Sequence, residues 1–314
     1  MYCVDGATLS RQYKEHISDF REWEQKHHSE EYVLYENNLS EYLSIDETSL
    51  SQGELCTFVT NKLSKGKKGT MVAMVNGTKS ENVIFELNKM SEEQRNKVKE
   101  VTLDLSSSMK LIVKKVFPKA TLVIDRFHVQ KLVNEAVSDI RISYRWEAIE
   151  EENKEIALSK EVHMKYIPHT FENGDTRKQL LARSRHIVMK HHSKWTDSQK
   201  IRAEILFEQY PEIEEAYYVS MELTDIYNKK ITSGVALTKL AHWYNKVEKL
   251  NLKYFKSVIE TMQNNYQTIA NYFINRSTNA SAESFNAKIK LFRSQLRGIR
   301  DIPFFIYRLS KLFA

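Results

Sequence analysis

The order of short apolar segments between residues 38 and 124 constrains the fold of this chain more than any other feature. Three consecutive segments, ending near residues 46, 60 and 75, are typical of β-strands. An amphipathic stretch over residues 80–98 predicts a helix, with Ser80 as its N-cap. The pattern then predicts a fourth strand at 101–104, a second helix at 109–117 and a fifth strand at 120–124.

Three strands followed by helix, strand, helix and strand is the element order of a ribonuclease-H-like fold. Beyond residue 130 the strand signals disappear and helical periodicity takes over, as at Leu132, Ala136 and Ile140. We therefore expect an α/β protein whose ribonuclease-H-like core, a mixed five-stranded sheet with flanking helices, is interrupted by a large all-helical insertion. The expected segments are an N-terminal helical segment at 1–37, the first part of the core at 38–134, the insertion at 135–272 and a C-terminal core helix at 273–314.

Three acidic residues occupy informative places in this pattern. Asp46 and Asp104 follow apolar runs that predict strands, and Glu283 opens a basic helical stretch. A carboxylate held at the end of a strand is costly, so its presence there suggests a use. Two strand-end aspartates and one helical glutamate could hold two Mg²⁺ ions for phosphodiester chemistry. Hard oxygen ligands suit Mg²⁺ or Mn²⁺ and disfavour zinc.

Each acid also has an ordinary structural alternative. Asp46 and Glu47 could be solvated charges in a turn, and Asp104 could cap the helix that follows it. Glu283 could form a surface ion pair, which is worth less than about 1 kcal/mol. The occurrence of all three acids in this order, on these elements, favours the catalytic interpretation.

Asp125 and His128 come directly after the fifth predicted strand. A histidine in that position is usually a hydrogen-bonded structural residue, and Asp125 is its natural partner. Because no other Cys or His lies nearby in sequence, we interpret the two as a pair that braces the site and not as metal ligands. We interpret the group formed by His186, His191 and His192 as a solvated or phosphate-contacting face.

Basic residues indicate a polyanionic partner. The chain has 47 Lys and Arg against 41 Asp and Glu, a net charge of +6. One set of lysines lies in a glycine-containing loop between the second and third strands. On the last helix a second set recurs at three- and four-residue steps and so shares one face: Glu283, Asn286, Lys290, Arg293 and Arg297. The predicted DNA-binding residues are Lys65, Lys67, Lys68, Lys290, Arg293 and Arg297.

Several classes of protein are excluded by composition. The chain has only two cysteines, which excludes a disulfide framework and a four-cysteine zinc ribbon within it. No apolar run approaches the roughly 18–20 residues needed to cross a bilayer. The first residues lack the basic and apolar regions of a signal peptide. We therefore expect a cytoplasmic protein with no membrane partner.

Three groups of motifs can be compared with known families. The first is VTLDLS at 101–106, FPKA at 117–120 and DRFHVQK at 125–131. The second is TNASAESFNAKIK at 278–290 with RGIR at 297–300, and the third is EYLSIDET at 41–48 with KGKKG at 65–69. Together they resemble the ISL3 family of DDE insertion-sequence transposases over nearly all of residues 38–312. The third group is similar to the ISAon1 subgroup.

The resemblance implies a DNA transposase, a polynucleotidyl transferase that uses two Mg²⁺ or Mn²⁺ ions and no nucleotide cofactor. It implies cleavage of the ends of an insertion sequence and their transfer to target DNA. Related superfamilies carry a motif of Cys or Asp, two residues and His after the fifth strand, which Asp125 and His128 match. This match favours the triad Asp46, Asp104 and Glu283 over the rival triad Asp104, Asp125 and Glu283.

The partners implied are double-stranded DNA at the transposon ends and at the target, and a homo-oligomer assembled on that DNA. Members of the family usually begin with a zinc-binding segment and a helix-turn-helix. Here residues 9–23 predict only one amphipathic helix, so we expect a separate DNA-binding protein or segment. Two alternatives are a ribonuclease-H-like nuclease without strand transfer, which needs no large insertion, and a non-catalytic DNA-binding relic, against which the three acids argue.

The expected lack of a groove-reading element generates a binding prediction. This chain alone should bind any duplex with modest, strongly salt-dependent affinity and should show little preference for the ends of its element. A gel-shift competition between terminal repeats and random DNA measures the preference. Selection of the repeats by about a thousandfold or more, as specific binders show, would contradict the expectation.

Overall fold

The computed structural model describes residues 5–51, 53–296 and 298–314. Contacts within it define two units, the first formed by Met1–Asp125 with Arg276–Ala314 and the second by Arg126–Asn275. All strands belong to the first unit. They are β1 (Tyr32–Leu34), β2 (Tyr42–Ser51), β3 (Glu54–Asn61), β4 (Met71–Asn76), β5 (Glu100–Leu103) and β6 (Thr121–Ile124).

These strands form one mixed sheet in the order β1-β4-β3-β2-β5-β6. β1, β4, β3 and β2 pair antiparallel, whereas β2 with β5 and β5 with β6 pair parallel. The expected meander and the two later strands are therefore confirmed. The expected number of five strands is wrong, because the three-residue β1 adds a sixth at one edge. So short a strand depends on its pairing with β4 and leaves almost no signal of its own.

The helices complete both units. In the order of the chain they are α1 (Gly6–Gln12), α2 (Ser80–Leu87), α3 (Glu92–Arg95), α4 (Ser107–Val116), α5 (Arg126–Glu161), α6 (Arg177–Arg183), α7 (Asp197–Gln209), α8 (Pro211–Asn228), α9 (Ser233–Leu250), α10 (Lys256–Gln263), α11 (Tyr266–Ala270), α12 (Tyr272–Asn275), α13 (Ala280–Gln295) and α14 (Ile302–Phe313). No helix in the described ranges has the length and apolar character to span a membrane.

The helix predicted over residues 80–98 is wrong in its extent. It consists of α2 and the short α3, and its N-cap is Lys79 instead of Ser80. The interruption has a local cause, since the Ser91 side chain accepts a hydrogen bond from the Gln94 backbone and so starts a new helix. Asn88, at the C-cap of α2, favours the break as well.

Two apolar layers cover the faces of the sheet in the first unit. On one face Leu43 and Ile45 of β2 pack with buried residues of α2 and α4, including Val83 and Ile112. On the other face Leu50, Phe58 and Met74 pack with α13 and α14, including Phe285, Ile289, Phe305 and Leu309. Alternate residues of β2 serve opposite layers, as the two-residue period of a strand requires. The C-terminal segment is thus an integral part of the sheet's covering.

The second unit is helical throughout its named elements, with an isolated bridge between Thr170 and Thr176. Its core contains large buried aromatic side chains, among them Tyr217, Tyr227 and Trp243. The indole of Trp243 donates a 2.8 Å hydrogen bond to the Val219 carbonyl, which satisfies its buried N–H. These aromatic residues supply the burial that allows the long helices to pack without a sheet.

The α13 layer can be tested by truncating Phe285, which is fully buried and contacts Phe58 and Phe313 at centroid distances of 5.7 and 5.2 Å. Phe285→Ala should lower the free energy of unfolding by about 3–5 kcal/mol, because it removes buried apolar area and leaves a cavity. Leu291→Ala on the same helix, where Leu291 is 58% exposed, should change it by less than about 0.5 kcal/mol. Urea unfolding followed by circular dichroism measures both, and equal losses would contradict the assignment of Phe285 to the core.

Candidate active site

Asp46 lies within β2 and not at its end, so the expected strand-end position is wrong. Its partner in β3 is Phe58, and the β2–β3 pairing continues to Ser51. The alternative of a turn at Asp46 and Glu47 is wrong for the same reason. The parallel pairing of β2 with β5, however, stops at Ser44. Asp46 therefore lies two residues beyond the last β2–β5 pair. The strand β2 continues there because it remains paired with β3.

Asp104 follows β5 at the corresponding position. Ser44 pairs with Thr102, so Asp46 and Asp104 each lie two residues further along parallel neighbouring strands. The Asp104 Oδ1 atom accepts a 2.8 Å hydrogen bond from the Ser106 backbone N–H. Ser106, and not Asp104, is the N-cap of α4. The alternative of Asp104 as a helix cap is therefore wrong, and its side chain remains half-buried beside Asp46's strand.

Glu47 is a third carboxylate in this region, to which the sequence assigned no role. Burial raises its pKa, and the negative charges of Asp104 and Asp46 raise it further. The Glu47 carboxylate is therefore near enough to Asp104 and Asp46 to be repelled by both. Successive strand residues point to opposite faces of a sheet, so Glu47 and Asp46 leave β2 on opposite sides.

Asn286 connects α13 to this strand. Its Nδ2 atom donates a 2.7 Å hydrogen bond to Asp46 Oδ2, and the residue is 9% exposed. Glu283 lies one helical turn earlier, in the first turn of α13, and is exposed. The expected common face of the helix is thus split, since Asn286 faces the sheet while Glu283 and Lys290 face solvent. The sequence placed Asn286 on the same helix face as Glu283 but did not indicate its contact with Asp46.

Within residues 5–51, 53–296 and 298–314, no group of three or more His, Cys, Asp or Glu side chains is arranged to hold a metal ion. The convergence of Asp46, Asp104 and Glu283 stays a prediction. What is observed is that Asp46 and Asp104 share one edge of the β2–β5 pair and that the helix of Glu283 is bonded to Asp46.

Asp125 and His128 begin the segment after β6. Asp125 is 2% exposed, and its backbone N–H donates a 2.9 Å hydrogen bond to the Leu103 carbonyl. His128 is half-buried in the first turn of α5, where its ring contacts Phe127 edge-on. Their proposed pairing stays a prediction.

The histidine group in the second unit is also placed. The ring centroids of His191 and His192 lie 4.1 Å apart with the rings tilted by 31°, and His191 Nδ1 lies 2.7 Å from Ser193 Oγ. His186 is exposed in a 3₁₀ turn. A phosphate-contacting role for these histidines stays a prediction.

A half-buried lysine, Lys62, lies directly after β3, and its side chain is 13% exposed. Lys62 Nζ donates a 2.7 Å hydrogen bond to Thr102 Oγ1 and lies 3.6 Å from Glu100 Oε1. Burial lowers the pKa of the Lys62 ammonium, while the carboxylates of Glu100 and Asp125 oppose that shift. This network, which the sequence did not indicate, fixes the start of the β3–β4 loop to β5, the strand that precedes Asp104.

The β3–β4 loop carries Lys65, Lys67 and Lys68, all exposed. It is tied to α13, because Lys288 Nζ donates a 2.6 Å hydrogen bond to the Gly66 carbonyl. Gly66 has φ +73°, and a Cβ there would lie 3.0 Å from Lys288 Nζ, so both conformation and space favour glycine.

The remaining predicted basic residues differ in their surroundings. Lys290 is exposed on α13, as a phosphate contact requires. Arg293 is half-buried and donates a 3.1 Å hydrogen bond to the Leu50 carbonyl, so its guanidinium also joins α13 to β2. Arg297 lies outside the described residues.

A mixed sheet whose parallel strands carry two aspartates at one edge, covered by a helix with a glutamate, is an arrangement consistent with the DDE transposases. A family model for transposases, that of the ISL3 group, matches residues 43–309. This chain therefore belongs to the ISL3 family of DDE transposases. The matched range includes Asp46, Asp104 and Glu283. No curated protein and no solved structure matches the chain.

The half-buried Lys62 generates a stability prediction. Lys62→Met should destabilise the first unit by about 3–5 kcal/mol, because the Glu100 carboxylate, only 4% exposed, loses the adjacent ammonium. Adding Glu100→Gln should recover part of that loss, since no charge then remains buried at the site. Chemical denaturation of the single and double variants provides the double-mutant cycle. Lys67→Met, which alters an exposed lysine in the same loop, is the control, and an equal loss in that variant would contradict the role of Lys62.

Proposed function

We propose that this chain is a transposase that cleaves DNA at the ends of an insertion sequence and joins those ends to target DNA. Asp46, Asp104 and Glu283 are its catalytic and metal-binding carboxylates. The core is ribonuclease-H-like, and the helical segment expected at residues 135–272 is its insertion. The membership of the chain in the ISL3 family supports the class of reaction.

The observation that carries this proposal is the hydrogen bond of Asn286 to Asp46 at 2.7 Å. Residues 240 positions apart in sequence meet there, and the helix that makes the contact bears Glu283 in its first turn. Asp104 lies level with Asp46 on the neighbouring parallel strand. If Glu283 formed only a surface ion pair, neither the hydrogen bond of Asn286 to Asp46 nor the alignment of Asp104 with Asp46 would be required.

The chemistry of the donor set fits a divalent cation. Burial raises the pKa of Glu47, and the negative charges of Asp104 and Asp46 raise it further, a contribution that a bound cation would offset. Within the described residues, Asn286 Oδ1 is a buried oxygen atom without a hydrogen-bond partner, on the same side chain that contacts Asp46. Carboxylate and amide oxygens are ligands suited to Mg²⁺ or Mn²⁺. When bound, two such ions activate a water or 3′-hydroxyl nucleophile and stabilise the leaving oxygen.

The chain's own residues position these groups and the DNA. Asn286 fixes the orientation of the Asp46 carboxylate through its amide donor. Lys65, Lys67 and Lys68 contact the phosphate backbone from a loop that Lys288 fastens to α13. In this proposal Lys290, Arg293 and Arg297 also contact phosphates, and Asp125 with His128 braces the site.

The DNA partners in this proposal are the transposon ends and the target duplex. The protein acts as a homo-oligomer on that DNA, with sequence recognition supplied by a separate DNA-binding protein or segment. Phosphate contacts of the kind described above position a duplex without reading its sequence, which is why such a second element is needed.

Asp104→Asn provides the direct test of the catalytic assignment. The substitution should abolish Mg²⁺-dependent cleavage of element-end DNA, because it removes an anionic metal ligand, and should leave DNA affinity unchanged or slightly higher. Cleavage of labelled element-end duplexes and fluorescence anisotropy measure the two properties. Asp197→Asn, at an exposed aspartate of α7, is the matched control and should retain both. Retained cleavage in the Asp104 variant would exclude Asp104 as a ligand.

A further inference from the structure

The second unit contains a groove with an unusual concentration of positive charge. It has a volume of 590 Å³ and lies between α5 and the turn that follows α6. Its charged lining consists of Arg141, Arg145 and Arg185, and no carboxylate belongs to its described lining. Ile142 and Trp146 form its apolar part. We refer to this feature as the arginine groove.

The three arginines are held close together despite their mutual repulsion. Arg141 and Arg145 are four residues apart on α5, a spacing at which like charges destabilise a helix. Arg141 is 4% exposed and donates a 2.7 Å hydrogen bond to the Leu181 carbonyl, which fixes its position. Burial lowers the pKa of Arg141, and the charges of Arg145 and Arg185 lower it further. The cluster is therefore costly for the protein alone.

Other arginines of the same unit are neutralised by carboxylates. Arg177 pairs with Glu151, and Arg183 and Arg202 both pair with Asp175. In the described part of the chain, by contrast, Arg145 and Arg185 form no ion pair. The Nε atoms of Arg141 and Arg145 are buried there without hydrogen-bond partners. Buried donors left unpaired in this way indicate an anionic group that binds from outside.

The shape of the surroundings indicates an extended anion. A second cavity of 390 Å³ shares Ser138 and Arg185 with the arginine groove and continues along α5 to Phe127. Its acidic residue, Glu135, is offset by Lys131 at 3.8 Å. From Phe127 to Trp146 the helix extends about 28 Å at 1.5 Å per residue. That length corresponds to about eight nucleotide steps of a DNA strand at 3.4 Å each.

We propose that the arginine groove binds the sugar–phosphate backbone of DNA and so forms a second DNA-binding surface on the helical unit. Guanidinium groups bind phosphate through paired N–H donors and tolerate partial burial, which suits the observed cluster. Phe127 and Trp146, at 57% and 59% exposure, supply apolar contacts at the two ends. The choice of DNA as the polyanion rests on the proposed function, whereas the anionic character of the ligand rests on the groove.

The test compares two double variants that remove the same charge. Arg145→Gln with Arg185→Gln alters the groove, while Lys200→Gln with Lys246→Gln alters two lysines of the same unit that are ion-paired to Asp197 and Glu222.

Affinity for a labelled random 30-base-pair duplex, a length of about three helical turns, is measured by anisotropy without divalent cations over a range of salt concentrations. The groove variant should bind at least about tenfold more weakly at physiological salt. The slope of its log affinity against log salt should fall by about 0.9 for each phosphate that it no longer neutralises. The lysine control should match the wild type.

Further measurements separate the competing explanations. Circular dichroism and thermal unfolding establish that the groove variant is folded, and Arg145→Lys, which keeps the charge, should retain most of the affinity. Trp146→Phe should remove most of the DNA-induced change in tryptophan emission, because Trp146 is the exposed reporter beside the groove.

Unchanged DNA affinity in the folded groove variant overturns the proposal. A change in the molecular mass of that variant, measured by light scattering while DNA affinity stays intact, also overturns it, because the groove would then be a protein interface. Failure of the proposed function looks different. In that case the wild type would not cleave element-end DNA, while the difference between the groove and lysine variants would persist.

Discussion

The packing of α13 against β2 is the interaction on which the first unit depends. It combines three kinds of contact along one helix: the Phe285 ring against Phe58, the Asn286 amide on the Asp46 carboxylate, and the Arg293 guanidinium on the Leu50 carbonyl. The apolar contact supplies most of the burial, while the polar contacts fix the register of the helix on the strand. A shift of one residue along the helix would turn Asn286 away from Asp46 by about 100°.

This sheet concentrates charge near its parallel edge. Burial and the charges of Asp104 and Asp46 raise the pKa of Glu47, and the half-buried Lys62 lies 3.6 Å from the buried Glu100. A sheet selected for stability alone would place apolar residues there, because buried ions recover little of their desolvation cost. The proposed metal site supplies a reason for this cost, since a bound cation would offset the repulsion that Glu47 experiences from Asp104 and Asp46.

Basic side chains make different contacts in the two units. In the first, basic side chains take part in fixed contacts or sit on a fixed loop: Lys288 fastens the loop at Gly66, and Arg293 fastens α13 to β2. In the second, Asp175 neutralises Arg183 and Arg202, whereas Arg145 and Arg185 lack ion pairs within the described residues. Because Arg145 and Arg185 lack ion pairs there, their charges gain no such stabilisation in the folded protein. We explain their position by the proposed binding of DNA.

The sequence by itself determined the order of strands and helices from β2 to β6, the helical character of residues 126–275 and the family. Two-residue alternation and helical periodicity are local properties, and motifs such as the capping box of Thr196 and Gln199 act within four residues. The sequence also singled out Asp46, Asp104 and Glu283, because acids beside apolar strands and at a helix start are visible without coordinates. Their joint geometry remains the main prediction from that pattern.

Only the tertiary structure decided the rest. β1 exists because β4 offers it an edge, and Asp46 lies within a strand because β3 continues to pair after β5 has ended. The contacts of Asn286 and Lys62 and the arginine groove were not indicated beforehand, since each depends on partners distant in sequence: 240 positions for Asn286 with Asp46 and 40 for Lys62 with Thr102. Periodicity identifies which residues share a face, but burial and charge compensation depend on what that face meets. Those partners are fixed only when the chain has folded.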